Sequence, residues 1–190
     1  MRREGWRAPR LPSTDHDEPR VPAPAIRGGR WRRAGAAGAA RRAACAPVAD
    51  VIVLDTNVVS ELIRGEPAGA VVDWVDAQPG DEVFLTAVTL AELLYGIARL
   101  PDGRRKTTLA GLLEAMVVED FEHRIASFDE TAAGHYADIA VRRERAGRPI
   151  STADAQIAAI CRSHDAVLAT RNTSDFTDTG IIVVDPWTEA

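Results

Sequence analysis

Four acidic residues suggest chemistry because of the sequence that surrounds each of them. They are Asp55, Glu92, Asp154 and Asp175. Several carboxylates that share one pocket repel one another and raise each other's pKa unless a cation compensates. Oxygen ligands without Cys or His in reach favour a hard divalent ion. We therefore expect these acids to share a site for Mg²⁺, or alternatively Mn²⁺.

A divalent ion held by these acids predicts phosphodiester chemistry. Such an ion activates water and neutralises charge on a phosphodiester under attack. Neighbouring polar side chains can add hydroxyl or amide contacts, and the candidates are Thr56, Asn57 and Ser151.

Each acid also has a structural explanation, which stays open at this point. Thr89-x-x-Glu92 and Ser151-x-x-Asp154 resemble capping boxes, in which an acid bonds back to the residue that starts a helix. Asp175 lies in a polar stretch where Asp is common in turns. Asp55 has the weakest such explanation, because nothing at a strand end requires a carboxylate.

The elements around these acids alternate between apolar runs and amphipathic segments. The run Val51–Leu54 before Asp55 predicts a strand buried on both faces. Strands are predicted over 51–55, 83–86, 124–127, 167–170 and 181–184. Helices are predicted over 57–64, 69–77, 89–98 with Thr89 as N-cap, 104–118, 130–145 and 152–164. This alternation predicts an α/β fold with a parallel sheet and helices on both faces. Strand C-termini and helix N-termini at one edge of the sheet would then bring the acids together.

The charge is distributed unevenly along the 190 residues. Residues 1–46 hold 11 Arg and 4 acids, a net charge of +7, whereas residues 47–190 hold 12 Lys+Arg and 24 Asp+Glu, a net charge of −12. The two parts sum to −5. The acidic part is not an obvious nucleic-acid binder, so cations and a local basic patch would have to reverse its field.

The N-terminal 47 residues differ in amino-acid composition from the remainder of the chain. Residues 1–47 are rich in Arg, Pro, Gly and Ala, which predicts a disordered basic extension, and residues 48–190 are predicted to form one domain. The extension is interpreted as a nucleic-acid-binding arm, a transit peptide or an over-extended gene start, with the last interpretation preferred.

The composition also indicates a compartment. The chain has two cysteines, Cys45 and Cys161, which cannot build a disulfide framework or a zinc cluster. It has no apolar run of the roughly 20 residues that a membrane span needs. The N-terminus carries charges but lacks the apolar core of a secretion signal. These features predict a cytoplasmic protein without a membrane partner.

Two groups of basic residues are candidates for binding an RNA backbone, with a solvated helix surface as the equal alternative for each. The first group is Arg99, Arg104, Arg105 and Lys106, and the second is Arg142, Arg143, Arg145 and Arg148.

Four motifs in this order resemble the PIN-domain ribonucleases, and more narrowly the VapC/FitB-like toxins of toxin–antitoxin pairs. They are Val53-Leu54-Asp55-Thr56-Asn57, Thr89-x-Ala91-Glu92-Leu93-x-Tyr95-Gly96, Ile150-Ser151-x-Ala153-Asp154-Ala155-x-Ile157-Ala158 and Thr170-Arg171-Asn172-x-x-Asp175-Phe176. The resemblance covers about residues 51–187. It implies a three-layer α/β/α fold with a five-stranded parallel sheet, a Mg²⁺-dependent endoribonuclease, a cognate antitoxin and a toxin homodimer.

The resemblance also assigns residues to roles. Asp55, Glu92 and Asp154 match the three principal acids of the family. Many relatives have an Asp where this chain has Asn172, with Asp175 a few residues further on. The fourth acid is therefore either replaced by Asp175 or leaves a second metal loosely held, with Asn172 as a supporting polar residue.

The leading hypothesis is a metal-dependent endoribonuclease that acts as a toxin on RNA. One alternative is a housekeeping RNA-processing nuclease, and another is a catalytically silent PIN-like module whose acidic pocket binds a partner's basic segment. A phosphatase that uses Asp55 as its nucleophile is disfavoured, because a second Asp two residues on and a clear phosphate-binding Lys are missing.

Overall fold

The computed structural model describes residues 51–189, in which five strands alternate with six α-helices. The strands are β1 Ile52–Leu54, β2 Val83–Thr86, β3 Ile125–Ala126, β4 Val167–Ala169 and β5 Ile182–Val184. The helices are α1 Thr56–Leu62, α2 Gly69–Asp76, α3 Ala87–Ala98, α4 Arg104–Glu119, α5 Glu130–Arg145 and α6 Thr152–Ser163. Every predicted strand and helix is present with ends shifted by a few residues, and an unpredicted 3₁₀ turn spans Thr173–Phe176. The predicted disordered extension, residues 1–47, lies outside the described residues.

The sheet is parallel throughout and has the strand order β3-β2-β1-β4-β5. The first strand is therefore central, and its neighbours are β2 and the much later β4. Because all strands run the same way, their C-terminal ends meet at one edge of the sheet. The predicted α/β class and five-stranded parallel sheet are confirmed.

Helices cover both faces of the sheet, and β1 contributes to both cores. Ile52 and Leu54 pack into the cluster that includes residues of α1, α2, α3 and α4. Val53 points to the opposite face and packs with residues of α5 and α6. All three are buried, as expected for a central parallel strand. The fold is a three-layer α/β/α arrangement. No helix between residues 51 and 189 combines the length and apolar character that a lipid bilayer would require.

Helix α3 begins earlier than the sequence predicts, and the prediction of Thr89 as its N-cap is wrong. Thr86, the last residue of β2, is the N-cap, and its side chain accepts a hydrogen bond from the Thr89 N–H at 2.9 Å. The strand passes directly into the helix without a linker, so Thr89 becomes the third helical residue. Glu92 is consequently the sixth residue of α3 and takes no part in capping it.

Glu61 braces the connection between α1 and α2. The residue is 7% exposed, and its two carboxylate oxygens accept hydrogen bonds at 2.8 Å from the Ala68 N–H and from Arg64. Burial alone would raise the pKa of Glu61, but the hydrogen bonds from Arg64 and Ala68, with the charges of Arg64 and Arg171, lower it overall. The Glu61 carboxylate is therefore kept ionised in the last turn of α1.

Most of the second basic group is used to anchor the chain between the 3₁₀ turn and β5. Arg142 donates to the Thr179 carbonyl at 3.2 Å, and buried Arg143 donates to the Thr177 carbonyl. Arg148 forms a salt bridge of 2.8 Å with Asp178. These side chains hold the segment 177–179 against α5, so the alternative of a freely solvated surface does not apply to them.

The capping of α3 predicts a difference between two buried threonines. Thr86→Ala removes the capping oxygen, so we expect it to lower the free energy of unfolding by about 0.5–2 kcal/mol. Thr89→Ala deletes the same atoms but keeps the N–H that Thr86 caps, so its loss should be smaller. Urea unfolding monitored by circular dichroism compares the two variants. An equal or larger loss in Thr89→Ala would contradict this assignment of the cap.

Candidate active site

Asp55 lies where β1 passes into α1. Its N–H donates to the Ala169 carbonyl at 3.0 Å, which extends the pairing of β1 with β4 by one residue. Its side chain is the N-cap of α1, since Oδ1 accepts a hydrogen bond of 2.7 Å from the Thr56 N–H. The expectation that no local structure requires a carboxylate here is wrong, because Asp55 does cap a helix.

The second carboxylate oxygen of Asp55 takes part in bonds that capping does not explain. Oδ2 accepts a hydrogen bond of 2.7 Å from the Asn57 amide and one of 2.6 Å from the Thr170 hydroxyl. The residue is only 5% exposed. With Thr56, three protein donors therefore fix this carboxylate in one orientation, and a simple helix cap does not need so many.

Thr170 is a site residue that the sequence did not single out. It is fully buried directly after β4, and its hydroxyl donates to Asp55 while it accepts from the Asn57 amide at 2.8 Å and the Asn172 N–H at 3.0 Å. The available signal was its position, because β1 and β4 are neighbours and their C-terminal ends coincide. A β-branched residue at a strand end otherwise has an ordinary structural explanation.

Glu92 joins the site through Thr56. The Thr56 hydroxyl donates a hydrogen bond of 2.6 Å to Oε2 of Glu92, which links α3 to the start of α1. Glu92 is half-buried. Because Thr86 caps α3, the capping explanation for Glu92 is removed.

Asp154 lies in the first turn of α6, and Ser151 is its capping partner. The Ser151 hydroxyl accepts a hydrogen bond of 3.0 Å from the Asp154 N–H and donates one of 2.6 Å to its Oδ2. The predicted Ser151 cap is confirmed. These contacts leave the other oxygen of Asp154, Oδ1, without a hydrogen bond inside the described part of the chain.

The charges of the other two acids act on Asp55. Burial raises the pKa of Asp55, and the negative charges of Asp154 and Glu92 raise it further, while the hydrogen bonds from Thr170 and Thr56 oppose this rise. Among residues 51–189, none of the three acids forms a salt bridge with a basic side chain. The pocket therefore has negative charge that the described protein does not neutralise.

The chemistry of these donors fits a hard divalent cation. All donors are carboxylate, hydroxyl or amide oxygens, which Mg²⁺ and Mn²⁺ prefer. Within residues 51–189, no three His, Cys, Asp or Glu side chains are arranged closely enough to enclose a metal ion. This suits Mg²⁺, which commonly uses one or two carboxylates and keeps several waters or substrate oxygens, better than a fully enclosed protein site.

Cys161 lies near this pocket on the α5–α6 side but is not a nucleophile. Its thiol is fully buried. Burial first, and then the charge of Asp55, raise the pKa of the Cys161 thiol far above its usual range. A thiol that stays protonated does not attack substrates.

The loop after β4 places Asp175 apart from the three acids. Asp175 is exposed in the 3₁₀ turn, and its N–H donates to the Asn172 carbonyl at 3.0 Å. This loop reaches the bonded network through two backbone N–H groups, that of Asn172, which donates to Thr170, and that of Arg171, which donates to Asn57. No hydrogen bond in the described residues connects the Asp175 carboxylate to Asp55, Glu92 or Asp154, so its catalytic role stays a prediction.

The first basic group lies at the turn between α3 and α4. Lys106 forms an exposed salt bridge of 2.9 Å with Asp102, and the Arg99 guanidinium lies 5.5 Å from the centre of the Tyr95 ring. Arg104 and Arg105 are exposed in the first turn of α4. The four side chains remain candidates for RNA contact, but none of them bonds to the acid pocket.

Comparison with known proteins identifies the family. Residues 52–181, more than half of the chain, match the family model described as PIN domain. This chain belongs to the PIN-domain family. The predicted resemblance is therefore confirmed at the level of the family and its fold.

Similar proteins narrow the relationship within the PIN-domain family. The chain is 41% identical over 140 residues to VapC ribonuclease Y4jK of Sinorhizobium fredii, covering 74% of this chain and 100% of that protein. It is 40% identical over 137 residues to toxin FitB of Neisseria gonorrhoeae, covering 72% and 99%. The crystal structure of FitAcB from Neisseria gonorrhoeae matches with a TM-score of 0.68 and 40% identity, covering 73% of this chain and 99% of that one.

The raised pKa of Asp55 predicts how the stability of the metal-free protein depends on pH. The folded state binds this proton more tightly than the unfolded state does, so stability from Asp55 falls as pH rises from its ordinary pKa of 3.8 through the raised folded value. In EDTA, the unfolding free energy of the wild type relative to Asp55→Asn should therefore fall between about pH 4 and pH 7.

Urea titrations of both proteins across this pH range measure the effect. Adding Mg²⁺ at pH 7 to ten times its dissociation constant should stabilise the wild type by about 1.4 kcal/mol, and Asp55→Asn by much less. A stability difference that does not vary with pH would contradict the inferred burial of the Asp55 charge.

Proposed function

We propose that this PIN-domain chain is a Mg²⁺-dependent endoribonuclease. The observation that carries the proposal is that the charges of Glu92 and Asp154 act on buried Asp55 at one edge of the sheet, where no basic side chain of residues 51–189 forms a salt bridge with any of the three acids. Similarity to a protein named VapC ribonuclease over its whole length supports RNA as the substrate. A phosphodiester backbone is itself anionic, so an acidic pocket needs a cation before it can accept one.

Asp55, Glu92 and Asp154 are the residues that would hold the cation. When bound, Mg²⁺ supplies Lewis-acid neutralisation of the phosphodiester and activation of the attacking water. The surrounding side chains keep the acids in place. The Thr56 hydroxyl orients Glu92, and the Ser151 hydroxyl orients Asp154.

Asn57 and Thr170 fix the orientation of Asp55 and connect it to the loop after β4. The Asn57 amide donates to both Asp55 and Thr170, and its oxygen accepts from the Arg171 N–H at 3.1 Å. Every polar atom of the Asn57 side chain is therefore used inside the site. Ligands whose own positions are fixed by neighbours bind metal more tightly, and changes to such neighbours typically cost about 10–100-fold in metal affinity or activity.

We further propose that the ribonuclease is the toxin of a toxin–antitoxin pair and acts in the cytoplasm. Similarity to the protein named toxin FitB, 99% of which is covered, supports the toxin role. A toxin that cleaves cellular RNA is tolerated only with a cognate antitoxin, which is the protein partner that we propose.

We also propose a homodimer, and the outer surface of α3 supports it. Leu94 is 51% exposed and Tyr95 is 64% exposed on this helix. Ala91 and Ala98 lie beside them at helical spacing and are exposed as well. A contiguous exposed apolar surface of this kind commonly marks a protein–protein contact.

The proposed activity predicts a graded series of variants. Asp55→Asn, Glu92→Gln and Asp154→Asn each remove a carboxylate from the pocket, so we expect each to lose at least about 100-fold in kcat/KM, equivalent to about 2.7 kcal/mol of transition-state stabilisation. Asp175→Asn, outside the bonded network, should lose about 10-fold or less. Cleavage of a fluorescent RNA with Mg²⁺, and with EDTA as control, measures the series.

Two results would count against this mechanism. Cleavage that persists in EDTA or in Asp55→Asn would exclude a role for the acid pocket. Mg²⁺ binding without cleavage of a broad RNA panel would instead support a silent module that uses its acids to bind a partner.

The toxin role predicts an effect on growing cells. Induced expression of the wild-type chain in a bacterial host should arrest growth within a few generations, whereas Asp55→Asn expressed to the same level should not. Co-expression of the protein encoded by a small gene that overlaps this one should restore growth. Normal growth during expression of a chain that cleaves RNA in vitro would favour a housekeeping nuclease.

A further inference from the structure

Arg171 is a basic residue fixed at the rim of the acid pocket. It follows Thr170, which binds Asp55, and its N–H donates to the Asn57 side chain at 3.1 Å. Its side chain is exposed. The backbone of Arg171 is therefore tied to the same network that orients the proposed metal ligands, although its sequence neighbours carry no other positive charge.

The guanidinium of Arg171 is held by an aromatic ring. Its central carbon lies 5.3 Å from the centre of the Trp187 ring, within the range of a cation–π contact. Trp187 is itself fixed. Its backbone N–H donates to the Asp185 side chain at 2.9 Å, and its partly buried ring packs against the core on the α1–α4 face. A cation–π contact of this kind does not use the hydrogen-bonding capacity of the guanidinium N–H groups.

Those N–H groups are available to a ligand. Within residues 51–189, the Arg171 guanidinium donates no hydrogen bond and forms no salt bridge. Glu61 is close enough for the charge of Arg171 to lower its pKa, but its oxygens are already bonded to Arg64 and to the Ala68 N–H. Arg171 is thus positioned by stacking and by electrostatics while its hydrogen-bonding capacity remains unused.

The acidic charge of the described domain makes a single free positive charge important for RNA binding. Residues 51–189 contain 12 Lys+Arg and 23 Asp+Glu, so an RNA backbone approaches a surface of the same sign. Five of the basic side chains are engaged elsewhere: Arg64, Lys106, Arg142, Arg143 and Arg148 bond to Glu61, Asp102, Thr179, Thr177 and Asp178, respectively. A fixed guanidinium presents a planar set of donors that matches phosphate oxygens.

We propose that Arg171, stacked on Trp187, binds a backbone phosphate of the RNA beside the Asp55 pocket. The proposal rests on the proposed ribonuclease function and adds a substrate-binding residue to it. The contact provides affinity and fixes the position of the RNA strand without recognising its base sequence, as phosphate contacts do. Trp187 acts as a positioning residue, because it restricts the guanidinium before RNA arrives.

The salt dependence of RNA binding tests this proposal. Fluorescence anisotropy with a labelled single-stranded RNA is measured on the full chain, with Ca²⁺ at a fixed concentration in place of Mg²⁺ and NaCl varied. Arg171→Gln removes one phosphate contact, so the slope of log K against log salt should become shallower by about 0.7. Arg171→Lys keeps the charge and should keep the slope.

Two further variants separate the contact from general charge and folding effects. Arg162→Gln removes a charge from the last turn of α6, which packs on the opposite face of the sheet, and should leave the slope unchanged. Trp187→Leu keeps an apolar side chain and the Arg171 charge, so it should weaken binding by about two- to fivefold with an unchanged slope. Thermal melting of each variant verifies that it is folded at the assay temperature.

The outcomes distinguish this proposal from the function on which it rests. An unchanged slope in Arg171→Gln, an equal change in Arg162→Gln, or full affinity in Trp187→Leu would overturn the phosphate contact while RNA binding stands. A wild-type chain that binds no RNA would overturn the ribonuclease proposal itself. If Arg171→Gln loses binding to a basic protein partner while its RNA binding is unaffected, this would likewise show that Arg171 does not contact phosphate.

Discussion

A buried carboxylate that has no cationic partner among residues 51–189 is the constraint on which this structure depends. The transfer of an ionised group into a protein interior costs several kcal/mol unless hydrogen bonds and opposite charges offset it. Asp55 receives three hydrogen bonds, yet Glu92 and Asp154 add negative charge rather than remove it. The described fold therefore stabilises the position of this carboxylate while leaving its charge balance to a component outside residues 51–189. The central place of β1 in the sheet makes this arrangement rigid.

The sequence predicted the α/β fold and its five-stranded parallel sheet correctly, but it did not reveal which of the acids caps a helix. A capping role was left open for Glu92 and Asp55 was given the weakest structural explanation, whereas in the structure Asp55 caps α1 and Glu92 takes no part in capping α3. The cause is a shift in where α3 begins. A pattern of Thr and Glu three residues apart does not reveal that a strand leads straight into a helix, and the shift moves Glu92 from the first turn to the second.

The contribution of Thr170 could not be predicted from local sequence for a different reason. A threonine at the end of a strand is ordinary, and its hydroxyl gains importance only because β4 lies next to β1 in the sheet. Clusters of charge in the sequence were equally uninformative. Arg142, Arg143 and Arg148 are close in sequence and bond to the segment 177–179, whereas Arg171 stands alone in sequence and lies at the pocket. The contacts of a basic side chain are set by the element it faces, which sequence spacing does not specify.

The sheet order has a consequence for the synthesis of the protein. The hydrogen bond between Thr170 and Asp55 joins residues that are 115 positions apart, and β4 is the strand that brings them together. Chains begin to fold from the N-terminus while the ribosome is still adding residues. Asp55, Thr56 and Glu92 can meet early in that process, but the hydrogen bond from Thr170 to Asp55 cannot form until nearly the whole domain has emerged. A nascent chain therefore cannot present a finished pocket, and the site matures only as translation ends.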